Sequence, residues 1–317
     1  MKIEIISHLP KDSMKGNMIT ALRWEAFLKE LGFEAEVRQA FSDEKVDLLI
    51  ALDAVQSAGE VHRFRENNSA QPVVLVLSGM DLAVDGSEEK DALQAMEQAD
   101  ALVVHQPFAR KELPADLQER TRVIYQSAIK PRGAVERRKR TFDVCVVSHL
   151  RESKDPFRAA EASRLLPRAS KVRILHIGGV LEKGFKRRAI EEMGKNKRYS
   201  WLGQRPGWET RKIMADCKLL VISSHAEGGA NVISEAVVAG VPILATRISG
   251  NMGILGEDYP GYFEVGNTEE LARLLEKAEK DSAFYQTLQA FGEKIRPRFE
   301  PESEKDALAS LIREMVK

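Results

Sequence analysis

The sequence predicts an α/β protein with two successive, doubly wound parallel sheets. Short apolar runs alternate with longer amphipathic segments along the whole chain of 317 residues. Most of these runs are continuously apolar, which is typical of strands in a parallel sheet that helices cover on both faces. The alternation runs through one series and begins again near residue 142, and a chain of this length also favours two domains.

The first series starts with a predicted strand at residues 3–6, followed by a helical pattern with Trp24 and Leu28 on its apolar face. Gly32 stands where a left-handed residue ends a helix. Residues 33–37 then alternate apolar and charged side chains, which is typical of a half-exposed edge strand. Further strands, separated by segments of helical length, are predicted at residues 46–52, 72–77, 101–104 and 122–125.

The second series starts at Phe142 and ends before an amphipathic helix that is predicted at residues 302–317. The basic run at residues 137–140 is interpreted as a solvated linker, so the domains are predicted as 1–138 and 139–301. We also consider that helix 302–317 crosses back to the first domain. The predicted strands of the second series are 142–147, 172–177, 199–202, 218–222 and 241–245, and its helices lie around 156–166, 182–195, 208–215, 232–239 and 269–280.

Composition and charge exclude several classes of protein. Lys and Arg total 48, as do Asp and Glu, so the formal net charge is zero and the global basic footprint of a nucleic-acid binder is missing. No apolar run approaches the length of a membrane span, and the first residues are interpreted as a short strand rather than a signal peptide. Cys145 and Cys217 lie in apolar runs, which favours a reducing, cytoplasmic setting. We therefore expect neither a nucleic-acid partner nor integral membrane association.

The segment 223–236 carries the most information about chemistry. It follows an apolar strand and opens a helix, and Gly228, Gly229 and Ala230 let a ligand approach the backbone closely. Asn231 is the predicted N-cap of the helix. The unpaired amides and the positive end of the helix dipole then predict an anion site at the start of this helix.

Two carboxylates bracket the predicted anion site. Glu227 lies in the loop, and Glu235 lies eight positions further on, near the first turn of the helix. Side chains on a helix tilt toward its N-terminus, so both acids can point at one ligand across the helix start. Such a pair suits a ligand with hydroxyl groups, namely a ribose and a hexose. The alternative is that Glu227 is a surface acid and that Glu235 is stabilised by the helix dipole.

The order of residues 227–246 resembles the donor-binding signature of retaining GT-B glycosyltransferases of the family 4 type. Residues 261–271 are similar to the strand, turn and helix that follow in that family, and residues 146–155 to its glycine-arginine and lysine loop. Lys154 takes the lysine position of that loop, and His149 stands at the usual arginine position. The resemblance implies two Rossmann-like domains facing a cleft, with a nucleotide sugar bound by the second domain.

The similarity is closest to one subgroup, the selenosugar synthases of the selenoneine biosynthesis pathway, and it covers nearly the whole chain. It implies that a hexose, glucose or N-acetylglucosamine, moves from a UDP-sugar to selenophosphate, a small anion, and forms a carbon–selenium bond. A generic UDP-hexose-dependent transferase that acts on a hydroxyl acceptor is the alternative. The resemblance is carried by residues 149–158, 227–236, 249–253 and 256–263, and in the first domain by residues 15–17, 20–24, 78–82 and 126–128.

The resemblance assigns the UDP-sugar to the second domain. Glu235 would bond the ribose hydroxyls, and Glu227 with the nearby amides would bond the hexose and the diphosphate. Lys154, helped by Arg151 or His149, would neutralise the charge that develops on the leaving diphosphate, so neither a metal ion nor another cofactor is expected. The donor-binding residues predicted in this way are His149, Arg151, Lys154, Gly203 beside the base, Glu227, Gly228, Gly229, Ala230, Asn231, Val232 and Glu235.

The first domain is expected to bind the acceptor. Asp81 follows a predicted strand and would orient the sugar or act as a base, although selenophosphate is already a strong nucleophile and needs little help from a base. Glu227, Lys154 and Asp81 are the predicted catalytic residues. The alternative for residues 15–17 is an ordinary strand-to-helix turn. The predicted acceptor-binding residues are Lys15, Gly16, Asn17, Arg23, Gly79 and Asp81.

Other functions find less support in the residues. None of the six histidines has a partner at metal-ligand spacing, so a zinc site is not predicted. A dinucleotide-dependent dehydrogenase needs Gly-x-Gly-x-x-Gly after its first strand, and neither series begins in this way. A membrane-associated transferase needs a basic helix face, yet residues 18–31 contain only Arg23 and Lys29 as cations. A non-catalytic, two-lobed binding protein is a further alternative.

Overall fold

The computed structural model describes residues 1–13, 16–78, 81, 86–131, 133 and 135–316. The chain divides into two units, each with its own sheet. Unit 1 comprises Met1–Ser127 and Pro301–Lys317, and unit 2 comprises Ala128–Glu300. The prediction of two α/β units with parallel sheets is confirmed.

Residues 128–138 lie in unit 2, whereas the predicted first domain extends to residue 138. The backbone N–H of Glu136 donates to Asp216 Oδ1 at 2.8 Å, and Arg137 Nη2 donates to the carbonyl of Gly240 at 3.0 Å. Glu136 and Arg137, at the start of the basic run that is interpreted as a linker, are therefore hydrogen-bonded to the rest of unit 2.

Unit 1 is built on a sheet of parallel strands with the order β2-β1-β3-β4-β5-β6. These strands are β1 (Lys2–Ile6), β2 (Glu34–Arg38), β3 (Leu48–Leu52), β4 (Val73–Val76), β5 (Ala101–Val104) and β6 (Thr121–Val123). The chain places β2 on one side of β1 and every later strand on the other side. The carboxyl ends of β1 and β3 therefore form a topological switch point, where ligands bind in open parallel sheets.

Two hydrophobic cores flank this sheet. One contains Trp24 and Leu308, and the other contains Phe64 and Ala95. The longer helices of unit 1 are α1 (Gly16–Glu30), α2 (Ala54–Asn67), α3 (Gly86–Gln98) and, last in chain order, α13 (Pro301–Met315). Its shorter helices are α4 (Pro107–Glu112) and α5 (Ala115–Glu119). Helices thus cover both faces of the sheet, as the continuously apolar strands predict.

Buried polar contacts fix α13 to unit 1. Glu304 is 1% exposed, and its carboxylate accepts hydrogen bonds from Trp24 Nε1 at 2.8 Å and from the backbone N–H of Ser127 at 2.7 Å. Arg23 Nε lies 2.7 Å from Glu304 Oε2. The C-terminal helix is therefore part of unit 1, in agreement with the hypothesis that it crosses back.

Unit 2 is built on a second sheet of parallel strands with the order β12-β11-β10-β7-β8-β9. These strands are β7 (Phe142–Val147), β8 (Val172–Ile177), β9 (Tyr199–Trp201), β10 (Leu219–Ile222), β11 (Ile243–Thr246) and β12 (Tyr262–Phe263). The helices are α6 (Arg158–Leu165), α7 (Phe185–Lys195), α8 (Gly207–Asp216), α9 (Asn231–Val238), α10 (Ser249–Leu255), α11 (Thr268–Lys280) and α12 (Ser282–Ile295). Short 3-10 helices occur at Glu152–Lys154 and Arg296–Phe299.

Helices α10 and α12 were not predicted from the sequence. Helix α10 contains two glycines and an asparagine, which have low helix propensity. Helix α12 buries only Phe284, Leu288 and Ile295 out of 14 residues, so its apolar stripe is narrow. Within the described parts of the chain, every helix is too short or too polar to cross a bilayer.

Candidate active site

The switch point of unit 2 lies between β7 and β10, because β8 and β9 lie on one side of β7 while β10, β11 and β12 lie on the other. Ligands of open parallel sheets bind beyond the carboxyl ends of the strands at such a point. The loop after β7 carries His149, Arg151 and Lys154, and the loop after β10 carries Glu227. The topology thus brings two segments that are distant in sequence to one edge of the sheet.

Lys154 and Glu227 contact each other directly. Lys154 Nζ forms a short ion pair with Glu227 Oε1, and Ser224 Oγ donates a hydrogen bond to the same oxygen at 2.6 Å. The two charged side chains are 18% and 11% exposed, so the pair is largely shielded from water. Two of the three predicted catalytic residues therefore form one charge-balanced group beside the start of α9.

The backbones of the two loops are also joined. Ser223 Oγ donates to the carbonyl of Asp155 at 2.8 Å, and the backbone N–H of His225 donates to the carbonyl of Ser153 at 2.9 Å. These bonds fix the loop after β10 against the loop after β7, next to Lys154. The position of the Lys154 side chain is therefore determined by both loops.

Gly250 supports the Glu227 loop from the side of α10. A Cβ atom at Gly250 would lie 1.9 Å from the carbonyl oxygen of Glu227 and 2.6 Å from its carbonyl carbon. Backbone atoms cannot move away as easily as the end of a flexible side chain, so only glycine fits this contact. Thr246 Oγ1 also donates to the carbonyl of Ser224 at 2.7 Å. The carboxylate of Glu227 thus stands on a tightly packed backbone.

The start of α9 differs by one residue from the prediction. Ala230 is the N-cap, with φ −78° and ψ 110°, and Asn231 is the first helical residue, so the prediction that Asn231 caps the helix is wrong. The Ala230 side chain has no oxygen with which to accept from the first-turn amides. These amides and the dipole of α9 therefore favour an external anion. Gly228, Gly229 and Val232 are half-buried beside this helix start.

His149 is placed as a neutral imidazole rather than as a cation. The backbone N–H of Gly179 donates to His149 Nδ1 at 3.1 Å. A ring nitrogen that accepts this bond carries no proton, so the proton of the ring is on Nε2. His149 therefore does not supply the positive charge of the arginine whose position it takes in the resembling family.

Arg151 is a second cation in the loop after β7. Its Nε is buried without a hydrogen-bond acceptor, and across the described ranges no carboxylate forms an ion pair with it. Since Lys154 is balanced by Glu227 and His149 is neutral, Arg151 is the residue of this loop whose charge is available to an anion.

Glu235 also has a cationic partner. Arg211 Nη1 lies 3.4 Å from Glu235 Oε1, and the two side chains are 30% and 24% exposed. Arg211 belongs to α8, which is adjacent to α9 in the structure.

Gly203, on the loop between β9 and α8, has φ +72°, a conformation that glycine adopts without strain, and its carbonyl accepts from the backbone N–H of Gly178 at 3.0 Å.

The switch point of unit 1 carries an asparagine and an aspartate. Asn17 Nδ2 donates to Asp53 Oδ2 at 3.2 Å, and Asp53 Oδ1 accepts from the backbone N–H of Gln56 at 3.1 Å as the N-cap of α2. Gly16 is the first residue of α1. The predicted acceptor residues Lys15 and Gly79 lie outside the described residues.

Asp81 is a buried acid next to this pair. It is 4% exposed, and the backbone N–H of Ser78 donates to its Oδ2 at 2.5 Å. Burial, with a further contribution from the charge of Asp53, raises the pKa of Asp81 to about 7. Near neutral pH this carboxyl group is therefore able both to hold and to release a proton.

Arg23 has a structural partner within unit 1, because its guanidinium is paired with the buried Glu304. Its predicted role in acceptor binding stays a prediction.

No group of three or more His, Cys, Asp or Glu side chains that could hold a metal ion is found over the described ranges. Cys145 and Cys217 are free and buried.

The sequence of unit 2 matches a known family. The family described as "Glycosyl transferases group 1" matches residues 129–298, which is more than half of the chain. The chain belongs to the group 1 glycosyl transferases. The matched region contains β7 to α12 and thus both loops of the switch point.

Solved structures show the fold of this glycosyl transferase. Anabaena Alr3699/HepE, solved in complex with UDP, is 18% identical and has a TM-score of 0.79, covering 99% of this chain and 100% of that chain. A sucrose-phosphate synthase from Thermosynechococcus elongatus is 16% identical, with a TM-score of 0.79 and coverage of 99% and 98%. A glycosyltransferase from Rickettsia africae is 14% identical, with a TM-score of 0.74 and coverage of 100% and 98%. The group 1 glycosyl transferase described here has the GT-B fold, with two Rossmann-like α/β domains.

Sequence reasoning missed four residues of this glycosyl transferase, three in unit 2 and one in unit 1. Ser224 and Gly250 support Glu227, Arg211 pairs with Glu235, and Asp53 lies beside Asp81. Gly250 falls in a segment that carries the family resemblance, which was a usable signal. The other three are separated from their partners by other elements or belong to common residue types, so no local pattern marks them.

Proposed function

We propose that this group 1 glycosyl transferase moves a hexose, glucose or N-acetylglucosamine, from a UDP-sugar to a small acceptor. The observation that carries the proposal is the Lys154–Glu227 pair beside the uncapped start of α9, at the switch point of unit 2. Such a site offers amides and a cation to a diphosphate and a carboxylate to sugar hydroxyls. Anabaena Alr3699/HepE, which shares the fold, was solved with UDP and with UDP-glucose.

The proposed donor contacts follow from the charges of the site. Arg151 and the amides at the start of α9 would hold the diphosphate, and Lys154 would exchange its contact with Glu227 for a phosphate oxygen. Glu227 would then accept hydrogen bonds from the hexose hydroxyls, and Glu235 from the ribose hydroxyls. Charge that develops on the leaving UDP is stabilised by these fixed groups, and the proposal includes no metal ion or other cofactor.

The finer proposal names selenophosphate as the acceptor, which rests on the similarity to the selenosugar synthases. A lone pair on selenium would attack C1 of the hexose while the C1–O bond to the diphosphate breaks, and UDP would leave with the bonding electrons. The product of this step is a hexose with a carbon–selenium bond. Selenium is a soft nucleophile, so this acceptor needs little assistance from a base.

A hydroxyl acceptor is the second candidate, and one observation favours it. The described acceptor-side residues include two neighbouring acids, Asp53 and Asp81, and burial raises the pKa of Asp81 to about 7. A carboxylate with such a pKa is suited to accept a proton from a hydroxyl nucleophile near neutral pH. Two acids also disfavour an anionic acceptor.

One assay separates the two acceptors. The protein is incubated with UDP-glucose or UDP-N-acetylglucosamine and either selenophosphate or a panel of alcohols, and UDP release is followed by chromatography. Release that requires selenophosphate supports the finer proposal, whereas release with an alcohol and none with selenophosphate contradicts it. Absence of UDP-sugar binding in calorimetry would contradict the donor proposal itself.

Two variants test the donor assignment. Glu235→Ala is expected to weaken the binding of UDP alone, because UDP contains the ribose. Glu227→Ala is expected to lower mainly kcat, since its proposed partner is the hexose. Equal and negligible effects of both changes would contradict the assignment.

We also propose a cytoplasmic location, which the free thiols of Cys145 and Cys217 support.

A further inference from the structure

We infer that Arg211 is a positioning residue that holds the Glu235 carboxylate in place for the ribose of the donor. The inference rests on the proposed function, in which Glu235 binds the ribose. Arg211 Nη1 lies 3.4 Å from Glu235 Oε1, and both side chains are partly buried. The pair joins the helix α8 to the helix α9, and α9 carries the proposed diphosphate site at its start.

The location of the guanidinium is not explained by stabilisation of its own helix. A Cβ atom at Gly207, the first residue of α8, would lie 3.3 Å from Arg211 Nη1. The guanidinium therefore lies against the N-terminal turn of α8, where the helix dipole is positive and a cation is unfavourable. The carboxylate of Glu235 on the neighbouring helix offsets this cost.

A carboxylate near a diphosphate also needs a counter-charge. Glu235 lies in the same eight-residue helix whose start is the proposed diphosphate site, and the negative charges of a carboxylate and a bound diphosphate repel each other. Glu227 has Lys154 as its cation, and Glu235 has Arg211. Because Arg211 lies beside Glu235 Oε1, it balances the charge of the carboxylate and holds it in place for the ribose hydroxyls when the diphosphate is bound.

The pair contributes little to the stability of the fold. Ion pairs of this exposure hold two long side chains in one geometry and are screened by water, so their net effect on unfolding is small. If the role of Arg211 is to position Glu235, its loss will appear in ribose recognition and not in the melting temperature.

The test is calorimetric titration of the full chain with UDP and with 2′-deoxyuridine diphosphate. The variants are Arg211→Met, Arg211→Lys and Glu235→Gln, with Arg187→Met as the matched control. Arg187 is an exposed arginine of α7 that pairs with Glu191 at 3.6 Å, so its loss also removes one helix-borne ion pair. Melting temperatures are measured for every variant.

We expect the wild type to bind UDP more tightly than the deoxy nucleotide. Arg211→Met is expected to lower the affinity for UDP about tenfold and to bring the ratio of the two affinities close to one. Arg211→Lys should restore part of the ratio, and Arg187→Met should leave it unchanged. If Arg211→Met keeps the wild-type ratio of the two affinities, the inference is overturned, whatever the melting temperature of this variant. If Glu235→Gln also keeps the wild-type UDP affinity and the wild-type ratio, the assignment of the ribose to Glu235 fails. If Glu235→Gln lowers both quantities and Arg211→Met lowers neither, only the inference about Arg211 fails.

Discussion

Lys154 and Glu227, 73 positions apart in the sequence, form an ion pair at the carboxyl edge of the unit 2 sheet, and Ser224 Oγ donates to the same carboxylate oxygen at 2.6 Å. The pair is largely shielded from water, so each charge is strongly influenced by the other. A donor diphosphate would compete with Glu227 for Lys154. The same exchange would leave Glu227 available to hydroxyl groups.

The two members of this pair are expected to respond differently to substitution. Lys154→Met should weaken UDP-sugar binding and lower kcat/KM by about 10²- to 10³-fold, because it removes a cation that faces the leaving diphosphate. Glu227→Gln should keep or increase the affinity for UDP, since Lys154 loses its competitor, while kcat falls. Steady-state kinetics and UDP titration measure both effects. Lys183→Met, at an exposed position of the same unit, is the control. Weaker UDP binding in Glu227→Gln would contradict the exchange.

Gly250→Ala is expected to inactivate the enzyme although no polar group is changed. The added Cβ would meet the carbonyl oxygen of Glu227 at 1.9 Å, so the loop that carries the carboxylate must shift. We expect a lower melting temperature and a loss of turnover. Gly292→Ala is the control, because a Cβ there meets nothing within 4 Å and α12 gains helix propensity. Normal turnover in Gly250→Ala would show that the Glu227 loop tolerates displacement.

Asp81 should make the stability of unit 1 depend on pH. Its pKa is raised to about 7 in the folded chain, so between its ordinary value of 3.8 and about 7 the folded state binds more protons than the unfolded state. Stability contributed by the protonated carboxyl is therefore present at low pH and is lost as the pH rises toward 7. Urea unfolding at pH 5 and pH 8 should show Asp81→Asn gaining stability relative to the wild type at the higher pH. The exposed Asp91→Asn is the control, and an equal pH dependence of wild type and Asp81→Asn would contradict the prediction.

Glu304→Ala is expected to destabilise unit 1 by about 3–5 kcal/mol, because it leaves the guanidinium of Arg23 and the indole N–H of Trp24 without their buried acceptor. Chemical denaturation measures the free energy of unfolding. Glu302→Ala removes an exposed carboxylate one position from the start of the same helix, and its effect should stay within about 0.5 kcal/mol. Similar effects of the two substitutions would contradict the structural role assigned to Glu304.

Activity should persist after treatment with a chelator. The proposed donor site balances charge with Arg151, Lys154 and the amides of α9, so UDP release should be unchanged when EDTA is added and when magnesium or manganese is supplied. The measurement is the initial rate of UDP release in each condition. Activity that is lost with EDTA and restored by a divalent cation would contradict the metal-independent proposal.

Most of the fold could be predicted from local sequence. Continuous apolar runs such as residues 219–222 mark buried parallel strands, and the amphipathic pattern of residues 269–280 marks a helix, because these patterns reflect the burial that each element requires. Helix α10 was not predicted because its glycines and asparagine have low intrinsic propensity, and packing overrides propensity there. Asn231 was misassigned as an N-cap by one position, since the cap depends on the backbone angles of Ala230.

By itself, the sequence determined the two parallel sheets, the order of their strands along the chain, the loops that carry Lys154 and Glu227, and the helix that carries Glu235. These follow from hydrophobic periodicity and from residue types at short spacing, which are local properties. Tertiary structure alone decided that Lys154 pairs with Glu227, that Arg211 pairs with Glu235, and that the buried Glu304 fixes the last helix to unit 1. Such pairings join residues that are far apart in sequence, and they depend on which strand ends and helices the fold places side by side.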